Sequence, residues 1–150
     1  MKRTLALLLL LVCLPLQAGD RLPYFSGFDT LSRTAPNARV LVMLFSQPDC
    51  RYCDLVREEF LLPLQSQQRT DLAIRELKVP SDTEVRNATQ QLVTPGTFAK
   101  QYAIAFYPSV LVISPDGTPL GEPLIGISSR DFYGFYLDQA INKALAASTP

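Results

Sequence analysis

The chain has 150 residues, 47% of them hydrophobic, with 14 basic and 14 acidic side chains and no histidine. That length and apolar content suit one globular domain with its own core. The balanced charge carries no block of one sign, so neither nucleic acid nor an anionic membrane surface is implied as a partner.

The first stretch, "MKRTLALLLLLVCLPLQAGD", reads as a leader. Lys2 and Arg3 form a positive region, Leu5 to Leu14 an apolar one, and "LQA" ends at a cleavage point expected after Ala18. The apolar run is shorter than the ~18–20 residues that span a bilayer, so cleavage is expected instead of a retained anchor. A lipid on Cys13 is disfavoured, because the preceding "LLV" lacks a small residue. Residues 1–18 are therefore read as a signal peptide, 19–38 as an N-terminal extension and 39–150 as the main domain. Loss of the leader removes Cys13 and leaves two cysteines and a net charge of −2. A periplasmic or secreted chain meets an oxidising compartment, where two thiols normally form a disulfide.

Residues 20–38 are turn-rich, with a short helix expected over "GFDTLSRTA". "RVLVMLFS" (Arg39 to Ser46) is a continuous apolar run of strand length, as in a strand buried on both faces. "QPD" breaks it, and a helix from about Cys50 to Gln67 follows. Cys53, Val56, Phe60 and Leu64 share one face of that helix, and Pro63 predicts a kink or early stop. "DLAIRELKV" (Asp71 to Val79) reads as a strand parallel to the first, since a helix connects them. The polar stretch from Pro80 to Thr97 is expected to hold a helical turn or two around Val85 to Leu92. Within it, "NAT" at Asn87 fits a glycosylation acceptor and is read as incidental. A short helix, "TFAKQYAI", then precedes the strand "PSVLVIS", the turn "PDGTP" and the strand "LGEPLIGI". Ser128 and Asp131 predict a capping box before a last helix running to about Ala146. Phe132, Tyr136, Ile141 and Leu145 are offered to its buried side. The order is β-α-β, a short helix, then β-β-α, an α/β arrangement.

The chemistry gathers in "FSQPDCRYC". A strand that delivers Cys50-x-x-Cys53 to the first turn of a helix places Cys50 beside unpaired N–H groups, which favour a thiolate below the free pKa of about 8.5. Cys53, one turn in, faces the buried side and can resolve what Cys50 attacks. Arg51 favours the Cys50 thiolate while Asp49 and Asp54 oppose it, so a modestly lowered pKa is expected. Zinc would want four nitrogen or sulfur ligands, and the chain has no histidine and no second cysteine pair; no metal ligand set is assigned. A Cu(I) site on two thiolates and a structural disulfide remain as alternatives, although so small a loop constrains the unfolded chain little. Redox exchange is the preferred reading, since this motif in a βαβ setting is its signature.

"FSQPDCRYC" after a buried strand, with "FYPSVLVISPDGTPLGEPLIG", resembles the thioredoxin-like superfamily, and more narrowly the small exported SoxW-type proteins of bacteria. The similarity covers roughly residues 36 to 147. It implies a thioredoxin-like fold, with a central mixed β-sheet flanked by helices. It also implies a cis bond at Tyr107–Pro108, beside the cysteines, where backbone groups would receive a substrate strand. The chain departs from thioredoxin itself: Asp49 replaces a tryptophan, Arg51-Tyr52 replaces Gly-Pro, and Leu44 stands where a buried acid would assist the second thiol. Arg51, Tyr52 and Glu76 are auxiliary candidates, Glu76 either accepting a proton from Cys53, sitting in a salt bridge or standing exposed at the sheet edge.

The resemblance implies an exported thiol–disulfide oxidoreductase needing no bound cofactor. It would act on protein disulfides or dithiols, more in the reducing direction, and be recharged by a membrane thiol–disulfide carrier. A Cu(I)-binding or docking module on the same fold is the alternative. An isomerase is disfavoured, because the residues before the first strand are too few for a dimerisation domain.

Overall fold

β1 (Val40–Ser46) is buried along its whole length, and its alternate residues serve two separate cores. Leu41, Met43 and Phe45 face one cluster, Val40, Val42 and Leu44 the other. That is the physical reason for a continuous apolar run: a central strand with both faces covered has no polar side. The computed structural model describes residues 21–148; the expected leader, with Cys13, lies outside them.

The four-stranded sheet has the order β2-β1-β5-β6. β2 (Leu72–Lys78) runs parallel to β1, while β5 (Ser109–Ile113) and β6 (Leu124–Ile125) follow antiparallel on the other side. The sheet is therefore mixed and central, with helices on both faces. α1 (Phe28–Thr34) and α4 (Pro95–Gln101) cover one face. α2 (Arg51–Val56), α3 (Leu62–Ser66) and α5 (Arg130–Ala147) cover the other. The described part of the 19–38 extension is packed into the domain: Leu22, Phe25, Phe28 and Leu31 are buried, and Tyr24 bridges to Glu76 at the edge of β2. Gly27 bridges Arg86 at φ 152°, where an added Cβ would lie 2.7 Å from the Arg86 Cβ, so only glycine fits.

Several expectations need correcting. The helix after Cys50 runs on through Pro63, but its regular α-helical form is interrupted just before it. It widens before the proline, over the π-helical segment Arg57–Leu61, and resumes as α3 with Pro63 in its first turn. Proline cannot donate to a carbonyl four residues back and its ring crowds that group, and the wider turn relieves both problems. The extra residue also moves the buried stripe by one, so Leu61 is fully buried and Phe60 only partly.

The stretch around Val85 to Leu92 is not helical. It forms a hairpin of β3 (Val85–Arg86) and β4 (Leu92–Val93). Asn87 builds the turn, its Oδ1 accepting from Thr89 N, Thr89 Oγ1 and Gln91 N. Its side chain is thus engaged and buried, which removes "NAT" as a displayed glycosylation site. α4 begins at Pro95 instead of Thr97, with Thr94 Oγ1 capping Thr97 N. The last strand shrinks to two residues. No capping box forms at Ser128; Ser129 is the N-cap and makes no side-chain cap bond. On α5 the buried residues are Tyr133, Leu137, Ile141 and Ala144, leaving Phe132 and Tyr136 exposed. That helix is apolar around much of its first turns, and packing of Tyr133 on Phe60 of the π-helical segment chose the face.

Candidate functional site

β1 ends at Ser46 and the chain turns through Gln47, Pro48 and Asp49, the last at φ 52°, a left-handed corner that aspartate tolerates. Cys50 follows in extended conformation as the N-cap of α2, and its Sγ accepts the backbone N–H of Cys53 at 3.2 Å. The two sulfurs are joined in a disulfide. They are unequal in access: Cys50 is half-buried, whereas Cys53 is 1% exposed on the side facing the sheet. Arg51 and Tyr52, between them, both point to solvent, Tyr52 with 62% of its surface exposed.

The antiparallel register of β1 with β5 sets Phe45 opposite Ser109, so the residues just before Ser109 lie alongside those just after Phe45. These are Tyr107 and Pro108, and the bond between them is cis. Ser109 Oγ donates to Phe106 O at 2.7 Å and Gly126 N donates to Pro108 O at 2.8 Å, tying this loop to the end of β6. Pro108 is buried. The Tyr107 ring is partly buried against the α1/α4 core, and that burial pushes its hydroxyl pKa up. The exposed apolar groups around the loop are Phe106 at 68% and Ile125 at 56%. Sequence reasoning singled out neither. Phe106 could have been found as an aromatic two residues before the proline, where no strand needs it.

Beneath the cysteines, Glu76 is buried in a salt bridge. Its Oε1 accepts from Ser46 Oγ (2.6 Å) and Arg57 Nη2 (2.6 Å), and its Oε2 from Arg57 Nε (2.9 Å). Burial pushes the carboxyl up, but the bonds from Arg57 and Ser46 outweigh it, and Glu76 stays below its ordinary value. The Arg57 guanidinium is correspondingly held charged, chiefly by its bond to Glu76. Arg57 Nη1 also reaches Asp54 Oδ1 at 2.5 Å, so the Asp54 charge is paired within the helix. Arg57 and Ser46 were missed by sequence reasoning. The signal was a cation four residues beyond Cys53, on the stripe expected to be apolar.

Among the described residues no cluster of three or more histidine, cysteine or acidic side chains is placed to hold a metal, and no helix is long and apolar enough to cross a membrane.

Solved structures similar to the chain include a mutant thioredoxin of Halobacterium salinarum, at 19% identity and TM-score 0.52, covering 81% of this chain and 96% of that one. The oxidised mitochondrial thioredoxin 3 of Saccharomyces cerevisiae aligns at 16% identity and TM-score 0.53, over 81% and 93% of the two chains. A reduced thioredoxin pre-protein of Schistosoma mansoni aligns at 17% identity and TM-score 0.53, over 82% and 97%. At such identities these likenesses speak to the fold, which is thioredoxin-like. No curated protein sequence matches the chain. A family model described as a thioredoxin-like domain matches residues 28–141. Since that match runs from the first helix through most of the last, the chain belongs to the thioredoxin-like domain family.

Proposed function

We propose that this chain is an exported thiol–disulfide oxidoreductase that reduces disulfides in protein segments through Cys50 and Cys53. The observation that carries the reading is the unequal pair: an accessible Cys50 with an N–H aimed at its sulfur, bonded to a buried Cys53. In the reduced protein the Cys50 thiolate attacks one sulfur of a substrate disulfide. A Cys50–substrate S–S bond forms, the substrate S–S bond breaks, and the departing thiolate takes up a proton. Cys53, having lost its proton, attacks Cys50 Sγ; the protein disulfide re-forms and the second substrate thiol leaves. Two electrons pass from protein to substrate. The N–H of Cys53 stabilises the Cys50 thiolate of the reduced protein, from which the attack starts.

A second dithiol must return the electrons, and for an exported protein the fitting class of donor is a membrane thiol–disulfide carrier. The leader-like first 18 residues support export, and the lack of histidine between the cysteines supports reduction over oxidation. Tyr52 between the cysteines, and Phe106 and Ile125 around the Tyr107–Pro108 loop, supply exposed apolar surface. An extended segment laid there would pair with backbone at Tyr107–Pro108 in the manner of an added strand. Arg51 and Tyr52 flank the attacked sulfur, and Glu76 acts from below through Arg57.

Insulin reduction driven by dithiothreitol tests this. The wild type should accelerate it, Cys50→Ser should not, and Cys53→Ala should accumulate a mixed disulfide through Cys50. No acceleration over dithiothreitol alone, together with one Cu(I) bound tightly per chain, would overturn the reading in favour of a metal carrier.

A further inference from the structure

Among the described residues Glu76 is the carboxylate that is fully buried, at 5% exposure, and its partner sits one helical turn below Cys53. Arg57 N donates to Cys53 O, so the two side chains share a helix face, about 5–6 Å apart at Cβ. Ser46, the third member, is the last residue of β1, four before Cys50, and lies on the same side of the sheet as Leu44 and Val42. Glu76 stands opposite Leu44 in the β1–β2 register. The network therefore joins β1, β2 and α2 at the point where the strand hands over to the cysteines. The other charged groups facing it are Asp54 on the helix, and Arg21, Glu58 and Lys78 around an adjoining cleft of about 420 Å³.

Stability alone is a poor account of such a pair. Desolvating two charges costs several kcal/mol per ion, and well-packed apolar residues of similar volume often do as well or better. What an apolar pair cannot supply is a balance of charge. An Arg57 without Glu76 would keep only the solvent-exposed Asp54 as its partner, so the largely buried end of its guanidinium would stand as a positive charge beneath the sulfurs, and it would favour the thiolates of the reduced form. A lone Glu76 would do the reverse. We infer that Arg57 and Glu76 are positioning residues that act on the redox pair by cancelling one another, so that the Cys50–Cys53 couple is set mainly by the helix start and not by a buried net charge. This deepens the proposed function and rests on Cys50 and Cys53 being exchangeable.

The test is equilibrium with glutathione at pH 8. One protein disulfide and two glutathione thiols give one protein dithiol and one glutathione disulfide, two electrons passing with their protons. Glu76→Gln leaves Arg57 with the solvent-exposed Asp54 as its remaining carboxylate and removes the buried one. It should move the equilibrium toward the dithiol by about tenfold and shift the Cys50 alkylation midpoint to lower pH. Arg57→Gln should move both in the opposite sense. The double variant R57Q/E76Q should return to within about twofold of wild type, and Arg57→Lys, which keeps the charge but loses the two-pronged fork, should lower stability while leaving the equilibrium close to wild type. A network that served only to hold the helix would shift both single variants in the same sense, or neither, and that result overturns the inference. Should Arg57→Gln fail to melt cooperatively, the contrast of E76Q with R57K decides the same question. The equilibrium is read on the protein's own sulfurs, so it stands whether or not insulin is reduced. A failed insulin assay counts against the proposed function; same-sense shifts count against charge cancellation.

Discussion

The two faces of the sheet are filled by different chemistry. Under α1 and α4 the core is aromatic: Phe98 lies 5.1 Å from Phe25, 5.0 Å from Tyr102 and 6.3 Å from Phe45, ring centroid to ring centroid. Under α2, α3 and α5 the packing is largely aliphatic, and near the redox pair it gives way to Ser46, Glu76 and Arg57. Large rings contribute cohesion and no charge. A paired carboxylate and guanidinium contribute little net cohesion but place opposite charges beneath the Cys50–Cys53 disulfide. One face is filled by rings; the other carries a largely buried charged network beneath the cysteine pair.

The sharpest way to break that contrast is Phe98→Ala. Removing a fully buried ring should cost about 3–5 kcal/mol of stability, seen as a lower denaturant midpoint. The glutathione equilibrium of the surviving folded protein should stay where it was. A matching shift in that equilibrium would mean the two faces are not separable.

A smaller effect is expected on the acid side. The Glu76 carboxyl sits below its ordinary 4.5 in the folded state, so the folded protein holds the carboxylate more firmly than the unfolded chain does. The stabilisation is then complete above the ordinary value and is lost as pH falls through the lower folded one. Denaturant midpoints taken from about pH 6 down to about pH 2 should fall for the wild type and for Phe98→Ala. Glu76→Gln should lack this part of the slope. An unchanged slope in Glu76→Gln would place the acid sensitivity elsewhere, with Asp71 and Asp116, whose carboxyls are held low by Arg69 and Ser114 respectively, as the next groups to examine.

The smallest change concerns the rim. Phe106→Ser removes an exposed ring and should alter stability by no more than about 0.5 kcal/mol. It should raise KM for a protein disulfide severalfold and leave reduction of a small-molecule disulfide untouched. Equal losses on both substrates would make Phe106 part of the scaffold and not of the docking surface.

Much of this molecule was legible in one dimension. β1 showed as six consecutive apolar residues, Val40 to Phe45, before Ser46, because a strand covered on both faces has no polar side. Cys50 and Cys53 were visible because helix geometry alone puts residues three apart on neighbouring positions, whatever surrounds them. The parallel pairing of β1 and β2 followed from the helix that connects them, and the mixed sheet from the resemblance of the motifs to the thioredoxin-like superfamily. The hairpin at Val85 to Val93 was hidden, since two-residue strands carry no period and a single asparagine side chain directs the turn.

What tertiary contact alone decided was pairing and facing. On α5, Phe132, Tyr133, Tyr136 and Leu137 are all apolar enough to be buried, and contact with Phe60 across the helix interface drew in Tyr133. Arg57 and Glu76 are 19 residues apart on different elements, and no local pattern announces that two opposite charges will be desolvated together. Local sequence sets backbone shape and the spacing of groups along one element. Which buried charge meets which depends on how elements stack, and stacking is a property of the whole fold.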